Sequence, residues 1–534
     1  MKKILITALT AIFALNVQGQ TLRTSYFMDK YHMSHQRNPA MSPSMGYVNL
    51  PVVGNLFLGL ESNIKLADFL YPVGPKNDRQ LGTFMHPEIS SNQFLRKIGR
   101  LGETVGADAN ISVLGFGFYT KHNRFWSADL NVKVNAGANI PKDVFAFMKQ
   151  LDLGEDGGFD WKNLNVAARG YVELAIGHAR DIEILGHDFR MGAKIKPLVG
   201  LVDGRIKVDD LTLRTTAEKW TLNADAYASV LGGLVTLEEK RDAENNLDGV
   251  DFGLVDLGNV EIMDLINFGV ALDLGVVYNM DNLLEALLPS LPLKGFTVSL
   301  GITDLGFIRY KQSTGAAFDK NFWYDGVKVV REKDEEGKGS WKEDLDYLKD
   351  QFDEIAKNIE ITGEGGKVSR GLRTTTNIGL EYSFLNDKMS AGLLYSTHWG
   401  LPRRFNELTL SYNLRPCRWY SLSLSTSVWN GFFRTAGWAM NFTPKYVFNF
   451  FIGMDYFPFA WTPQIGDNWP LPWGLPVYNA NFNLNLGMSI PLGGNRHAKY
   501  GGTKRERRAE RRATREQEGL QQDVRNVYQS VELE

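Results

Sequence analysis

"NFNLNLGMSI", Asn481 to Ile490, alternates polar or small side chains with apolar ones for ten residues. Successive side chains on a strand point to opposite faces, so Phe482, Leu484, Leu486, Met488 and Ile490 share one face while Asn481, Asn483, Asn485, Gly487 and Ser489 share the other. The same two-faced pattern recurs in "SLSLSTSV" (421–428), "ELTLSYNL" (407–414), "NIGLEYSF" (377–384) and "FWSADLNVKVNA" (125–136). In "FRMGAKIK" (189–196), Arg190, Lys194 and Lys196 stand opposite Phe189, Met191 and Ile195.

Sixteen stretches read as strands: 54–62, 110–120, 124–136, 170–178, 188–197, 205–214, 218–228, 268–278, 295–310, 375–384, 388–397, 404–414, 419–429, 434–441, 446–456 and 480–490. Most approach the ~9–11 residues with which a tilted strand crosses a bilayer, and exceed the ~5–6 of ordinary sheets. A soluble sandwich also alternates, but its outer face is densely charged. Here the polar faces carry amides, hydroxyls and glycine, as a crowded aqueous lumen would. Trp399, Trp419, Tyr420, Trp429, Phe432, Phe433, Trp438, Tyr446, Tyr456, Phe457, Phe459 and Trp461 fall at strand ends, where an interfacial girdle sits. Short joins (121–123, 215–217, 385–387, 415–418, 442–445) alternate with long ones (63–109, 137–169, 229–267, 311–374, 457–479), with 279–294 the exception on the short-turn side. The expected fold is all-β, a transmembrane antiparallel barrel of about 14–16 strands.

The flanks agree with export. "MKKILITALTAIFALNVQGQ" (1–20) has two lysines, an apolar stretch and a small residue at Gly19, the layout of a signal peptide. The 534 residues carry a net charge of −2, which gives no argument for nucleic acid, and the single Cys417 excludes an internal disulfide. The expected organisation is a signal at 1–20, a plug or lead at 21–53, a barrel over 54–492 and a charged tail at 493–534, in the outer membrane of a Gram-negative cell. The tail places Lys504, Arg505, Arg507, Arg508, Arg511, Arg512 and Arg515 in one basic run, which offers anionic lipid headgroups or an acidic periplasmic protein a docking surface. An amphipathic helix is expected at 341–359 and a shorter one at 141–151.

Arg37, Asn38, Pro39 and Ala40 form "RNPA" between the export signal and the first expected strand. This resembles the Asn-Pro-Ala element of the long-chain fatty-acid transporter superfamily, which includes barrels of the type IX secretion machinery of Bacteroidota. "ALDLGVVYN" (271–279) and "VSLGITDLGFIRY" (298–310) resemble paired strands of those barrels, and the nearest likeness is to an uncharacterised Bacteroidota outer-membrane family. The resemblance implies about fourteen strands, so 54–62 or 434–441 is expected to be surplus. It also implies a plug and a hydrophobic or amphipathic ligand; the alternative is a structural barrel docking partners of a secretion or surface machine.

No chemistry-bearing motif competes. His32 and His35 lack a third ligand at metal spacing, and Ser396 with His398 is a same-face pair without an orienting acid. With no phosphate-binding glycine loop either, neither an enzyme nor a cofactor is expected.

Overall fold

The computed structural model describes residues 22–494 apart from 76–79, 101, 121–122, 151–157, 216–219, 233–234, 242–246, 255–266, 288–293, 311–312, 319–321, 325–359, 363–366, 401–404, 418, 430–431, 434, 445–446 and 458–480. Fourteen antiparallel strands close into a ring. The first, β1, has two segments, Met45–Asn49 and Leu56–Ser62. It is followed by β2 (Glu103–Tyr119), β3 (Phe125–Ile140), β4 (Asn165–Ile184), β5 (His187–Thr215), β6 (Asn267–Asn279) and β7 (Phe296–Tyr310). Then come β8 (Thr374–Phe384), β9 (Met389–Trp399), β10 (Phe405–Cys417), β11 (Tyr420–Trp429), β12 (Gly437–Phe442), β13 (Asn449–Met454) and β14 (Phe482–Gly494). Closure is made where β14 meets β1, with Leu484 opposite Leu58 and Ile490 opposite Val48. A closed ring leaves no unpaired edge, the condition for strands to span a bilayer.

The alternation of "NFNLNLGMSI" has the expected sense. Asn483, Asn485 and Ser489 are buried toward the lumen, while Phe482 and Ile490 are exposed on the outer wall. Leu410, Leu424, Ile378 and Leu380 repeat the outward pattern, and Ser411, Asn413, Ser423 and Asn377 the inward one. An arginine on the lipid face near the midplane costs ~2–4 kcal/mol, whereas the lumen is polar. Leu484→Arg is therefore expected to lower the yield of heat-modifiable barrel well below that of Asn485→Arg, read on unheated gels; equal losses would reverse the assignment of the two faces.

At one end the joins are tight. Leu185 and Gly186 turn β4 into β5 with φ of 52° and 79°, and Leu385, Asn386 and Asp387 turn β8 into β9 with φ of 53°, 55° and 61°. The join between β6 and β7 at this end carries a short helix, Asp281–Leu287. The opposite end holds the long connections, which pack on themselves. The helix Lys142–Gln150, expected from the sequence, buries Phe147 against Phe159 and Trp161 and presents Phe145 to a second cluster with Phe84 and Phe94.

Several expectations need correction. The stretches 188–197 and 205–214 are one strand, β5; a bulge opposite Gly170 and Tyr171 resets its alternation and so resembles a break. The stretch 218–228 belongs to a strand, Trp220–Leu231, that pairs with the far half of β5 outside the ring, because β6 pairs only with residues 189–200. Those two changes reduce sixteen to fourteen, while 54–62 and 434–441, the suspected surplus, both contribute to the wall. The join 215–217 is consequently at the long-loop end. The wall starts before residue 54, since Met45–Asn49 pairs with β14. Tyr456 is buried in the lumen and takes no part in a girdle; Trp399, Trp419 and Phe457 are exposed. The signal at 1–20, the helix at 341–359, Tyr446, Phe459, Trp461 and the tail with Lys504 to Arg515 lie outside the described residues.

Candidate functional site

The chain from Leu22 to Ser44 runs inside the barrel, and most of its side chains are buried, including Leu22, Arg23, Tyr26, Tyr31, His32, His35 and Arg37. A polar lumen can hold such a segment only if its charges and amides are partnered. Two clamps do this at opposite ends. Toward the long loops, the Arg23 guanidinium donates to Glu61 at 2.6 Å and to Tyr456 Oη at 2.9 Å, and lies 3.2 Å from Glu407 and 3.6 Å from Asp455. Burial alone would lower the Arg23 pKa, but Glu407, Glu61 and Asp455 outweigh it and hold the cation. Toward the short turns, Arg415 donates to Asp29 at 3.1 Å and to the Phe27 carbonyl at 2.9 Å, and Lys30 donates to the Cys417 carbonyl at 2.9 Å.

Between the clamps sits "RNPA". Asn38 Oδ1 accepts from the Ala40 amide at 3.0 Å and the Met41 amide donates to the Asn38 carbonyl at 2.8 Å, a turn for which Asn followed by Pro is suited. The turn lies on a row of small residues across three adjacent strands: Gly192 of β5 is opposite Gly275 of β6, which is opposite Gly301 of β7. A Cβ at Gly192 would run into Pro39, one at Gly275 into Asn38 Oδ1, and one at Gly301 would lie 2.7 Å from the Arg37 carbonyl. The next residue in the row, Asn377, donates to that carbonyl at 3.1 Å. The three stretches of the sequence that carried the resemblance, 37–40, 271–279 and 298–310, thus meet in the fold.

His35 and His32 are lumenal and serve the packing. Lys194 Nζ donates to His35 Nδ1 at 2.5 Å; His35 Nε2 is 2.7 Å from Tyr47 Oη, which donates to Asp129 at 2.7 Å. Burial, followed by the Lys194 charge, holds the His35 pKa well below the usual histidine range. Burial pushes His32 down to about 4, partly opposed by its contact to the Gly54 carbonyl. Ser396 donates to Asn377 and His398 contacts Thr375, so the two are in the lumen and apart from one another's hydrogen bonding.

Nearby, a bulge in β7 opposite Leu272–Leu274 puts Asp304 at φ 58° and turns its side chain inward. Lys133 reaches Glu173 at 2.8 Å and Asp304 at 3.3 Å, and Lys196 reaches Asp273 at 2.6 Å and Asp304 at 2.8 Å. This band of paired charges has no counterpart in sequence spacing; its members come from β3, β4, β5, β6 and β7.

Toward the long loops the lumen changes character. Tyr171, Leu198, Leu231, Ile308, Tyr310 and Leu372 form a buried apolar cluster. Gly200 makes room for it, since a Cβ there would meet Ile308 at 2.7 Å and Tyr310 at 3.0 Å. Beside the cluster lies a small pocket, partly open to solvent, lined by Asn135, Ala167, Arg169, Asp203, Arg205 and Leu372. Arg373, also on its lining, pairs with Asp108 of β2 across the lumen. Sequence reading missed this site, because its apolar residues occupy positions that period two assigns to the wet face.

No curated protein sequence matches the chain. Among solved structures, the chain is similar to the P. putida toluene transporter TodX (8% identity, 90% of this chain and 96% of that one, TM-score 0.36). The Ralstonia pickettii toluene transporter TbuX is similar at 8% identity, 90% and 100% coverage and TM-score 0.38. A Pseudomonas aeruginosa FadL homologue gives 8%, 90% and 99%, and 0.37. The sequence profile described as "Family of unknown function (DUF5723)" matches residues 39–455, from within the Asn-Pro-Ala turn through β13, and the chain belongs to that family.

Proposed function

We propose that the protein is exported by its N-terminal signal to the outer membrane, where the plugged barrel binds and passes hydrophobic or amphipathic small molecules. The observation that carries this reading is the juxtaposition, at the long-loop end of the lumen, of the apolar cluster around Leu198, Ile308 and Tyr310 with Arg169 and Arg205. The cluster meets the pocket at Leu372; an apolar chain matches the chemistry of the first and a polar headgroup that of the second, and the segment 22–44 below them closes the way through. Opening therefore requires the plug to shift, and the resemblance noted for residues 37–40 supports the same reading.

The test is uptake. Cells lacking the gene, complemented with wild type or with Leu198→Asp/Ile308→Asp, are given a labelled C12 amphipath. The protein is expected in the outer-membrane fraction with heat-modifiable migration, and uptake is expected to fall on deletion and stay low with the double variant although the barrel assembles. Recovery in the soluble periplasm, or uptake indifferent to deletion, overturns the reading.

A further inference from the structure

The arginines on the long-loop pocket and directly behind it outnumber their carboxylates. Arg169 is bound to Asp203 at 2.5 Å and donates to the Gly371 carbonyl at 2.7 Å. Arg205 Nε donates to the other Asp203 oxygen at 3.0 Å, and Arg370 Nε stands 3.8 Å from that oxygen while its Nη2 donates to Ser229 at 3.0 Å. Arg373 is already paired with Asp108. Three guanidinium groups thus share one carboxylate, an excess of two positive charges among the described residues. All are largely withdrawn from water, with side-chain exposures of 10% for Arg169, 18% for Arg205 and 19% for Arg370. Concentrating cations in this way is unfavourable unless an anion joins them.

The donors left over point the same way. Arg370 Nε and Tyr310 Oη are buried without a hydrogen-bond partner among the described residues. The terminal nitrogens of Arg205 make no hydrogen bond to a described residue, Asp203 being taken through Nε. Arg370 and Tyr310 stand just behind the lining: Arg370 adjoins it through Asp203, and Tyr310 through Leu372, a member of the same apolar cluster. A carboxylate ligand would cancel one of the two excess charges. A phosphate monoester would cancel both, and its three terminal oxygens would engage several guanidinium N–H groups and the phenol at once.

We propose that this pocket is a phosphate site: it takes the dianionic phosphate group of a small molecule, and, resting on the function proposed above, the rest of that molecule lies on the Leu198–Ile308–Tyr310 cluster. Binding is measured by calorimetry on the full-length protein in nanodiscs with inorganic phosphate, dodecyl phosphate, laurate, acetate and dodecyl maltoside as probes. Inorganic phosphate is expected to bind in preference to acetate, and dodecyl phosphate to bind tighter than either phosphate or laurate. Arg205→Gln and Arg370→Gln are each expected to weaken phosphate by about tenfold to a hundredfold, the range for losing a charge-assisted hydrogen bond, and to weaken dodecyl maltoside, which carries no charge to pair, far less than that. Because the second ionisation of a phosphate monoester lies near pH 6, affinity is expected to fall as pH drops from about 7.5 to about 5.

The arms separate the two readings. Arginine-dependent binding of inorganic phosphate with no gain from the dodecyl chain keeps the phosphate site and removes the amphipath. Equal binding of dodecyl phosphate, laurate and dodecyl maltoside, indifferent to Arg205→Gln and Arg370→Gln, keeps the amphipath and overturns the phosphate site. Phosphate binding that survives the double variant Arg205→Gln/Arg370→Gln places the anion elsewhere and overturns it as well. Heat-modifiable migration of each variant, checked first, separates loss of binding from loss of fold.

Discussion

Arg23→Met is expected to release the N-terminal segment from an otherwise intact barrel. The wild-type guanidinium faces Glu61 from β1, Glu407 from β10 and Asp455 from the end of β13, all within 3.6 Å. Methionine fills similar space but leaves three carboxylates in the lumen without their cation. Removing one partner of a buried charge cluster costs ~3–5 kcal/mol, because the remaining charges keep their desolvation penalty. The wall loses nothing comparable, since its ladders do not pass through residue 23. The measurement is tryptic cleavage after Lys30 and Arg37, both buried in the native segment. Cleavage is expected to accelerate at least a hundredfold, with heat-modifiable migration preserved. Adding Glu407→Gln to Arg23→Met is expected to recover part of the loss, as coupled neighbours do. Cleavage rates unchanged from wild type would mean that the clamp at Asp29, Lys30 and Arg415 holds the segment by itself.

The wall was legible because its physics is local. Which face of Phe482 to Ile490 meets lipid depends only on parity, and the lumenal placement of Lys194 and Lys196 was readable from "FRMGAKIK" for the same reason. Parity fails where the chain adds a residue. The bulge near Leu201 made one strand of 29 residues resemble two, and Pro51 within "NLPVVGNL" hid the short segment Met45–Asn49 that opens the wall. Parity also says nothing of partners. Arg23 and Asp455 are 432 positions apart in sequence, and no spacing rule connects them. Tyr456 read as an interfacial aromatic for want of that knowledge; its hydroxyl donates to Glu407 at 2.6 Å and so belongs to the clamp. The apolar cluster at Tyr171, Leu198 and Ile308 was invisible for a different reason, since a greasy patch inside a wet lumen inverts the rule that assigns faces.

Gly275→Val tests whether the Asn-Pro-Ala turn needs bare backbone beneath it. Gly275 is flanked in the ladder by Gly192 and Gly301, and a Cβ there would overlap Asn38 Oδ1 and come within 2.9 Å of the Ala40 amide. Valine is otherwise well suited to a strand, so the wall gains propensity while the turn loses its seat. Forcing extra carbons into a filled space costs ~1–3 kcal/mol, and here the displaced atom is also the acceptor that closes the turn. Gly204→Ala serves as the control: it too is a strand glycine, of β5, but a Cβ there meets nothing within 4 Å. The expected result is assembly of both variants, tryptic cleavage after Arg37 that is fast only in Gly275→Val, and a pocket at Arg169 and Arg205 opened from below in that variant alone. In the uptake assay, Gly275→Val is then expected to exceed wild type, because the segment proposed to close the lumen no longer rests on the wall. Protection of Arg37 equal to wild type would show that β6 and the turn adjust together, and the glycine row would lose its role as the seat of the Asn-Pro-Ala turn.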